Sequence, residues 1–348
     1  MSLRVAIVGA TGAVGRTFLS LLEERRFPVG ALRLLATARS AGETLPFGSE
    51  RIPVEEVSAE ALAGHDLAFF SAGADAARRW APVAVERGVT VIDNSAAFRM
   101  EPEVPLVVPE VNGHRLADRP RLVANPNCST IQLVLVVAPI HRRVGVQRLV
   151  VSTYQSVSGT GLEALAELEE QVSGAAAGRE PPPRVYPHRI AYNCLPHIDD
   201  FLDSGYTREE VKVILESRKI LEEPNLAVTA TAVRVPVRVG HAEAVNLTLS
   251  RPVNPDEVRR WLAEAPGVAV LDDPAAGLYP TPRAAAGRDE AFVGRIRRDV
   301  SQPAGLDLWI CCDNLRKGAA LNGIQIAERL FGPADGGPAA PAGPSGAR

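Results

Sequence analysis

A cysteine stands at the junction of a predicted strand and a predicted helix. The apolar run at residues 121–124 is β-like, the chain turns at residues 125–127, and a helical apolar pattern begins at Cys128. Unpaired N–H groups and the helix dipole at a first helical turn favour a thiolate and stabilise an oxyanion on an acyl carbon. This position indicates acyl-transfer chemistry. The alternative is a small buried hydrophobic residue, which is the commonest fate of a free cysteine.

A glycine-rich turn near the N-terminus is the second chemical feature. Residues 3–10 have the pattern of a buried strand and lead into GATGAVG, and an amphipathic helical pattern follows. Glycines here allow a tight turn and close approach of the backbone to a pyrophosphate, to which the helix start donates N–H groups. The segment predicts a dinucleotide-binding turn, although glycines also occur in ordinary strand-to-helix turns. The predicted cofactor contacts are Gly9, Thr11, Gly12, Ala13 and Val14.

The end of the second predicted strand indicates which dinucleotide is bound. Folds that prefer NAD usually carry an Asp or Glu there, but this chain has Thr-Ala-Arg-Ser at residues 37–40. Arg39 and Ser40 suit the additional 2′-phosphate of NADP. The sequence therefore predicts NADP as the cofactor. The alternative is that Arg39 is an ordinary surface arginine, since lysine occurs only at 212, 219 and 317 and arginine supplies the other basic residues.

The composition is that of a compact two-domain enzyme. The chain has 348 residues, 46% of them hydrophobic, and a net charge of −3. Balanced charge and 5% aromatic residues do not support a nucleic-acid groove. No apolar run approaches the ~20 residues of a membrane span, and no signal peptide is evident, so we expect a cytoplasmic protein. The four cysteines form no CxxC pair, and Cys311 and Cys312 are predicted to lie in a strand core.

The order of apolar patterns predicts an α/β fold with two domains. Strand patterns at 67–73, 89–93 and 121–124, with a helical pattern after the first, are typical of a Rossmann-type domain. Later strands are longer and alternate, which fits a second, α+β catalytic domain with a mixed sheet and one exposed or interface-forming face. The predicted division is 1–127 with a returning helix at 313–332, 128–312 for the second domain, and a disordered tail at 333–348.

Nine motifs, taken in order, resemble bacterial aspartate-semialdehyde dehydrogenases over the chain up to about residue 332. They are GATGAVG, ARSAG, DNSAAFR, NPNCST, YQSVSGTG, AYNCLPHID, ESRKI, RVPVRVGHAEAV and DNLRKGAALN. The resemblance implies NADPH-dependent reductive dephosphorylation of L-aspartyl 4-phosphate, in lysine, threonine, methionine and diaminopimelate biosynthesis. It also implies a homodimer or dimer of dimers formed through the second domain, with no metal and no nucleic-acid or membrane partner. Reductases of other acyl phosphates, such as N-acetyl-glutamyl phosphate, and a non-catalytic homologue are the alternatives.

The same resemblance implies the catalytic residues. Cys128 is expected to form an acyl thioester with Asn127 beside it, and Gln155 to orient the acyl group. His241 is expected to take the thiol proton and return one to the thiohemiacetal, as a histidine titrating near neutrality can. From the residues alone, Gln155 is a solvent-facing strand residue and His241 a turn residue.

Binding residues follow in the same way. Arg234 is expected to hold the substrate α-carboxylate through its two-donor fork. Glu216 is expected to contact the substrate ammonium, and Arg99 and Lys219 to bind the phosphate. From the residues alone, Glu216 and Lys219 are a surface ion pair and Arg234 is an exposed cation. The remaining implied cofactor contacts are Ser158, Gly159 and Asn314, for which a plain turn and a helix N-cap are the alternatives. Arg189 and Arg238 depart from some relatives and are assigned no role.

Overall fold

The chain forms two compact units in the computed structural model, which describes residues 2–332. Within the described residues, the first unit contains residues 2–109, the segment Gly113–Asn125, and residues 320–332. The second unit contains Glu110–Asn112 and Pro126–Ala319. The tail predicted to be disordered, residues 333–348, lies outside the described residues.

The strands and helices of the described residues are numbered in chain order. The strands are β1 Leu3–Val8, β2 Val29–Ala36, β3 Thr44–Phe47, β4 Glu50–Glu56, β5 Leu67–Phe70, β6 Thr90–Asp93, β7 Leu122–Ala124, β8 Val146–Gln155, β9 Ala227–Arg234, β10 His241–Leu249, β11 Val268–Val270, β12 Ala291–Arg298 and β13 Gly305–Cys312. The helices are α1 Ala13–Glu24, α2 Ala59–Leu62, α3 Ala74–Glu86, α4 Pro109–Asn112, α5 Cys128–Val144, α6 Leu162–Ala176, α7 Arg208–Leu221, α8 Pro255–Ala263, α9 Pro282–Ala285 and α10 Leu321–Phe331. No helix of the described residues is long and apolar enough to cross a membrane.

The first unit is built on a seven-stranded sheet in the order β3-β4-β2-β1-β5-β6-β7. Its neighbouring strands are parallel, except that β3 runs antiparallel to β4. On one face, Phe18 of α1 stacks on Phe69 of β5 at 4.4 Å between ring centroids, and Ile324 of α10 belongs to the same core. On the other face, Ala77 of α3 packs with Phe70. Helices on both faces bury the parallel strands, and the predicted Rossmann-type fold is confirmed.

The second unit is built on a six-stranded sheet in the order β11-β12-β13-β10-β8-β9. The pairs β8/β9 and β11/β12 are parallel and the other pairs are antiparallel, so the predicted mixed sheet is confirmed. Helix α5 packs on one face, and twelve of its seventeen residues are buried. The opposite face is partly exposed and carries Tyr154, whose ring lies 5.4 Å from Trp309. Cys311 and Cys312 are buried in β13, as predicted.

The observed division differs from the predicted boundaries by a few residues. The C-terminal return to the first unit begins at Ala320, whereas the sequence places it at 313. Asp313 starts a compact turn by accepting the N–H groups of Leu315 and Arg316, and a π-helical turn at Arg316–Ala320 precedes α10. Glu110 belongs to the second unit because it forms a buried ion pair with Lys317 at 2.8 Å.

Candidate active site

The helix that carries the candidate nucleophile begins at Cys128, as the sequence predicts. Asn127 is the N-cap, and its Oδ1 accepts the N–H groups of Ser129 at 3.0 Å and Thr130 at 3.3 Å. An N-cap side chain of this kind stabilises the first helical turn by about 1 kcal/mol. The Cys128 side chain is partly exposed at this turn, while Asn127 and Ser129 are buried. The thiol is therefore accessible on a firmly held backbone.

Two carboxylates of α7 hold Asn127 in place. The N–H of Asn127 donates to Glu216 Oε2 at 2.7 Å, and its Nδ2 donates to Glu209 Oε1 at 2.9 Å. Glu216 is 1% exposed, so the alternative of a surface ion pair with Lys219 is wrong for this residue. Lys219 is partly buried one turn further along α7. These contacts tie α7 to the peptide that precedes the nucleophile.

Glu209 is a residue that the sequence interpretation missed. Its Oε1 accepts from both Asn127 Nδ2 and Gln155 Nε2, the latter at 3.1 Å, and so joins two predicted catalytic residues. Burial alone raises the pKa of Glu209, but Lys212 and these hydrogen bonds outweigh it and keep the pKa below its usual value. Glu209 is therefore an anion, paired with Lys212 at 3.2 Å. The one signal in the sequence was its position seven residues before Glu216, on the same helix face.

The ends of β8 and β9 bring Gln155 and Arg234 side by side in the parallel register. Gln155 is 1% exposed, so the alternative of a solvent-facing glutamine is wrong. Arg234 is also buried, and its Nη1 donates to the Ser156 carbonyl at 2.7 Å. The Arg234 Nε has no hydrogen-bond partner within the described residues. An unpaired buried donor on a cation is a strong attraction for an anionic ligand.

His241, at the start of β10, is buried and held through Nδ1. The Ser156 N–H donates to this nitrogen at 3.0 Å, and the Ser156 hydroxyl lies 3.1 Å from it. A backbone N–H only donates, so Nδ1 is an acceptor and the proton of the neutral ring belongs on Nε2. Burial, and then the charge of Arg234, lower the pKa of His241 well below its usual value. At neutral pH the ring is therefore a hydrogen-bond donor through Nε2.

The side chains of Arg234 and His241 meet beside Gly159. A Cβ on Gly159 would lie 3.2 Å from Arg234 Nη1 and 3.3 Å from His241 Nε2. His241 Nε2, like Arg234 Nε, has no partner among the described side chains. Each of these two side chains thus carries a buried donor that suits a carboxylate or a carbonyl oxygen. The predicted convergence of Arg234 and His241 is confirmed.

Asn314 is an internal hydrogen-bond centre and not a helix cap. Its Oδ1 accepts from Ser156 Oγ at 3.0 Å, from Ser158 Oγ at 3.1 Å and from the Gly240 N–H at 2.8 Å. The N-cap of the final helix, α10, is Ala320, so the alternative that the sequence offered for Asn314 is wrong. Asp313 accepts the N–H groups of the two residues after Asn314. Asn314 therefore fixes the turn around Ser158 against the turn that precedes His241.

A glycine lies next to the Cys128 side chain. A Cβ on Gly318 would lie 3.3 Å from the Cys128 Cβ, so this glycine keeps room next to the candidate nucleophile.

Arg189 pairs with Glu180 at 3.0 Å and Arg238 with Glu169 at 2.8 Å. Both glutamates are largely exposed, and such pairs contribute little to stability.

In the first unit, the glycine-rich turn has the geometry of a phosphate cradle. Gly9 has a φ of +87°, and a Cβ on it would lie 2.5 Å from the Ser71 carbonyl oxygen. Gly12 is the N-cap of α1 and provides no side-chain cap, so the first N–H groups of α1 are available to a ligand. Thr11 Oγ1 lies 3.4 Å from Ser40 Oγ, which joins two predicted cofactor contacts. Arg39 is exposed in the adjoining turn, Ala38–Ser40.

Arg99, predicted to bind phosphate, is buried in the first unit. Its Nε donates to the Asn125 carbonyl at 3.0 Å and its Nη2 to the Asn94 carbonyl at 2.9 Å. Asn125 is itself held, since its Nδ2 donates to Asn94 Oδ1 and its Oδ1 accepts from Asn322 Nδ2 at 2.7 Å. The guanidinium orientation is thus set by backbone oxygens. No pattern in the sequence predicted these asparagine contacts.

Comparison with known proteins identifies the family. A model of the semialdehyde dehydrogenase NAD-binding domain matches residues 4–119, and a model of the semialdehyde dehydrogenase dimerisation domain matches residues 137–317. An aspartate-semialdehyde dehydrogenase of Aquifex aeolicus is 50% identical over 95% of this chain and 98% of its own length. The chain belongs to the aspartate-semialdehyde dehydrogenase family. Another member, from Legionella pneumophila, is 52% identical over 94% of this chain and 95% of its own length.

Solved structures of this family share the fold. The crystal structure of aspartate-semialdehyde dehydrogenase II from Vibrio cholerae, complexed with ASA, superposes with a TM-score of 0.92 at 44% identity, covering 95% of this chain and 98% of that one. The Candida albicans enzyme, solved with NADP, superposes with a TM-score of 0.73 at 28% identity, covering 95% of this chain and 98% of that one. The predicted family is confirmed, and the protein is an oxidoreductase with a nucleotide-binding domain.

Proposed function

We propose that the protein catalyses the NADPH-dependent reductive dephosphorylation of L-aspartyl 4-phosphate to L-aspartate 4-semialdehyde. The observation that carries the proposal is Cys128 at the first position of α5, with its N-cap residue joined to Gln155 through the buried Glu209 carboxylate. Relatives that are 45–52% identical over nearly the whole chain carry the same enzyme name. The product belongs to the biosynthesis of lysine, threonine, methionine and diaminopimelate.

Cys128 is the proposed nucleophile. Its sulfur attacks the acyl carbon, the bond from that carbon to the phosphate oxygen breaks, and a thioester forms. The helix start favours the thiolate and offers N–H groups to the developing oxyanion. Gln155, whose Nε2 is held by Glu209, orients the acyl group. Asn127, which precedes Cys128, is held by the same Glu209 carboxylate and so fixes the position of Cys128 relative to Gln155.

Arg234 and Glu216 are assigned to the two charged groups at the α-carbon of the substrate. The unpaired Nε of Arg234 is available to the α-carboxylate, and the buried Glu216 carboxylate attracts the ammonium. Lys219 and Arg99 are assigned to the phosphate that leaves. Lysine is rare in this chain, which singles out Lys219, and Arg99 rests on the motif resemblance alone.

His241 acts as a donor in this proposal, which differs from the proton acceptor that the sequence motif implies. Because Nδ1 is occupied by the Ser156 N–H, the ring offers the Nε2 proton to the substrate oxygen. It stabilises the thiohemiacetal oxygen after the acyl carbon is reduced. When the thiohemiacetal collapses, its carbon–sulfur bond breaks, the aldehyde is released and Cys128 returns to the thiolate.

NADP is the proposed cofactor, and the residues fit it. A bound NADPH supplies the hydride that reduces the acyl group. The open start of α1 at Gly12 would hold the pyrophosphate, with Gly9, Thr11, Ala13 and Val14 around it. Arg39 and Ser40 would hold the 2′-phosphate, since the exposed turn carries a cation and a hydroxyl and no carboxylate. Ser158, Gly159 and Asn314 are proposed as further contacts.

We also propose a homodimer, with a dimer of dimers as the larger form, in the cytoplasm. The partly exposed face of the six-stranded sheet supports it, because Tyr154, Trp309 and Tyr279 offer apolar surface there. A groove of about 360 Å³ on this face is lined by Trp309, Tyr279 and Arg295. No cysteine of the described residues forms a disulfide, which suits a reducing compartment. Analytical ultracentrifugation tests the assembly, and a purely monomeric protein at micromolar concentration contradicts it.

A substrate panel tests the proposed function. Phosphate-dependent formation of NADPH is measured from L-aspartate 4-semialdehyde, N-acetylglutamate semialdehyde and glyceraldehyde 3-phosphate, each with NADP and with NAD. We expect aspartate semialdehyde to be preferred by about 100-fold or more in kcat/KM, because its ammonium and carboxylate both find buried partners. Higher activity with either other aldehyde would reassign the substrate, and no activity with all three would favour a non-catalytic role.

A further inference from the structure

Another buried carboxyl, Glu243, lies on the strand of His241 and takes no part in the proposed mechanism. It is two residues after His241 on β10, so both side chains project from the same face of the sheet. Gln132 is four residues after Cys128 on α5, one helical turn further along the same face. Glu243 and Gln132 are each 0% exposed. One residue pair thus connects the strand of His241 with the helix of Cys128.

The polar atoms of this pair lack other partners among the described residues. Gln132 is the polar side chain that approaches the Glu243 carboxyl, yet no hydrogen bond of ordinary geometry is made by either oxygen of Glu243 or by Oε1 and Nε2 of Gln132. Unpaired buried polar atoms destabilise the folded state. Four of them on two neighbouring side chains indicate a pairing that small side-chain rotations complete.

Within residues 2–332, no cation is close enough to affect the pKa of Glu243. Lys317 acts on the neighbouring Cys312 and is paired with Glu110. From β8 Glu243 faces Thr153, whose hydroxyl is bonded to Gln155, and from β13 it faces Ile310. The titratable groups around it are His241 on its own strand and the thiols Cys311 and Cys312 on β13. Burial raises the pKa of both thiols above the usual value, and His241 is neutral. These groups around the carboxyl are therefore uncharged at neutral pH.

The chemistry of the two side chains decides the protonation state. A carboxylate has acceptors only, so it can satisfy the Gln132 amide N–H but not its carbonyl oxygen. A carboxylic acid has one donor and one acceptor, as does a primary amide edge, and the two close a pair of hydrogen bonds. Burial raises the pKa of Glu243 to about 8, in agreement with this geometry.

We propose that Glu243 is a neutral carboxylic acid paired with Gln132, and that this acid–amide pair is a positioning element that holds β10 behind His241 against α5 behind Cys128. The pair itself does not depend on the proposed function. Its effect on turnover does.

Infrared difference spectroscopy of the whole protein at pH 7 tests the protonation state directly. Wild type minus Glu243→Gln should show the carbonyl stretch of a protonated carboxylic acid. Wild type minus Glu86→Gln, the same change at an exposed helical site, should not. A wild-type spectrum without this band would overturn the proposal, whatever the substrate is.

Thermal unfolding against pH gives an independent measurement. The folded pKa of Glu243 lies above its ordinary value of 4.5, so its contribution to stability is complete below that value and is lost as pH rises toward about 8. Glu243→Gln removes this ionisation and can still pair with Gln132. We expect its Tm to exceed that of wild type by several degrees at pH 8 and to match it at pH 4.5. If the Tm values of wild type and Glu243→Gln changed with pH in the same way, the proposed acid–amide pair would be refuted.

The positioning role is tested by turnover. Glu243→Gln should keep kcat within about twofold at pH 7 and should lose less activity than wild type between pH 7 and 9, because wild type acquires a buried negative charge. Gln132→Leu, which leaves the acid unpaired, should lower kcat about tenfold or more while KM changes less. If Gln132→Leu folds and keeps full turnover while the infrared band is present, the pair is structural and positions nothing. If wild type has no activity, the proposed function fails and the infrared and melting results still decide the pair.

Discussion

The candidate catalytic cluster of the second unit, around Cys128, and the glycine-rich turn of the first unit, at residues 9–15, are organised by different parts of the chain. In the cluster, buried side chains hold one another, as when Glu209 joins Asn127 to Gln155. In the turn, the backbone sets the shape, and Gly9 is needed because a Cβ would meet the Ser71 carbonyl at 2.5 Å. Side chains of the turn, such as Arg39, are exposed.

This difference has a consequence for mutation. A buried hydrogen-bonded network loses several partners when one member is removed, because the others are left unpaired in a low-dielectric interior. An exposed ligand contact loses only its own interaction. We therefore expect changes in the cluster to lower both turnover and stability, and changes in the turn to alter cofactor binding alone unless a closely packed glycine is replaced.

The largest effect should come from Cys128→Ala. Covalent catalysis fails without the sulfur, so turnover should fall on the order of 10⁴-fold or more while NADP binding persists. Steady-state rates and fluorescence titration with NADPH measure the two properties. Cys194→Ala, at an exposed thiol, is the matched control and should stay fully active. If Cys128→Ala retained a tenth of wild-type turnover, the thioester mechanism would be wrong.

Glu209→Ala should give the next largest effect. It leaves Lys212 and the amides of Asn127 and Gln155 without their shared anion, which should cost about 3 kcal/mol of stability and about 100-fold in kcat/KM. Denaturant unfolding and steady-state kinetics measure both. Asp203→Ala, at an exposed position before α7, is the control. Unchanged kinetics in Glu209→Ala would show that the cluster does not depend on this carboxylate.

Replacing each of two glycines of the turn distinguishes an effect on stability from an effect on cofactor binding. Gly15→Ala places a Cβ 2.3 Å from the Gly9 carbonyl oxygen, so we expect it to destabilise the first unit by about 3 kcal/mol or more. Gly12→Ala has room, with its nearest contact at 3.5 Å, and should fold normally but bind NADP more weakly. Melting curves and NADPH titrations distinguish the two. Equal stability in both variants would contradict a backbone-determined turn.

Arg234→Lys and Lys219→Ala test whether the substrate carboxylate and the phosphate bind at separate sites. An ammonium cannot reproduce the planar two-donor fork, so Arg234→Lys should raise KM for aspartate semialdehyde by about tenfold more than KM for phosphate. Lys219→Ala should do the reverse, and arsenate in place of phosphate should follow the Lys219 defect. Equal changes in both KM values for both variants would mean that the two cations serve a single anion site.

The narrowest effect is expected for Arg39→Ala, which should change a single kinetic constant. Only NADP presents a 2′-phosphate, so KM for NADP should rise about ten- to hundredfold while KM for NAD changes little. Turnover at saturating cofactor and the Tm should match wild type, because Arg39 is exposed. Equal losses with both cofactors would place Arg39 outside the phosphate site.

The local features of the sequence determined the elements and the position of the candidate nucleophile, Cys128. Periodicity and glycine spacing predicted the Rossmann-type unit, and the break at residues 125–127 predicted the start of α5 at Cys128. These signals are reliable because they arise from backbone constraints between residues close in the chain. The motif order also identified the family.

Only the tertiary structure decided the partners of the site residues. Glu209 lies 82 residues from Asn127 in the chain, Ser156 lies 85 from His241, and Asn314 lies 158 from Ser156. Which polar group a buried side chain meets depends on strand register and helix packing, and neither is encoded within a short segment. For this reason the sequence predicted a histidine able to accept a proton, whereas the fold, by directing the Ser156 N–H at Nδ1, leaves it a donor.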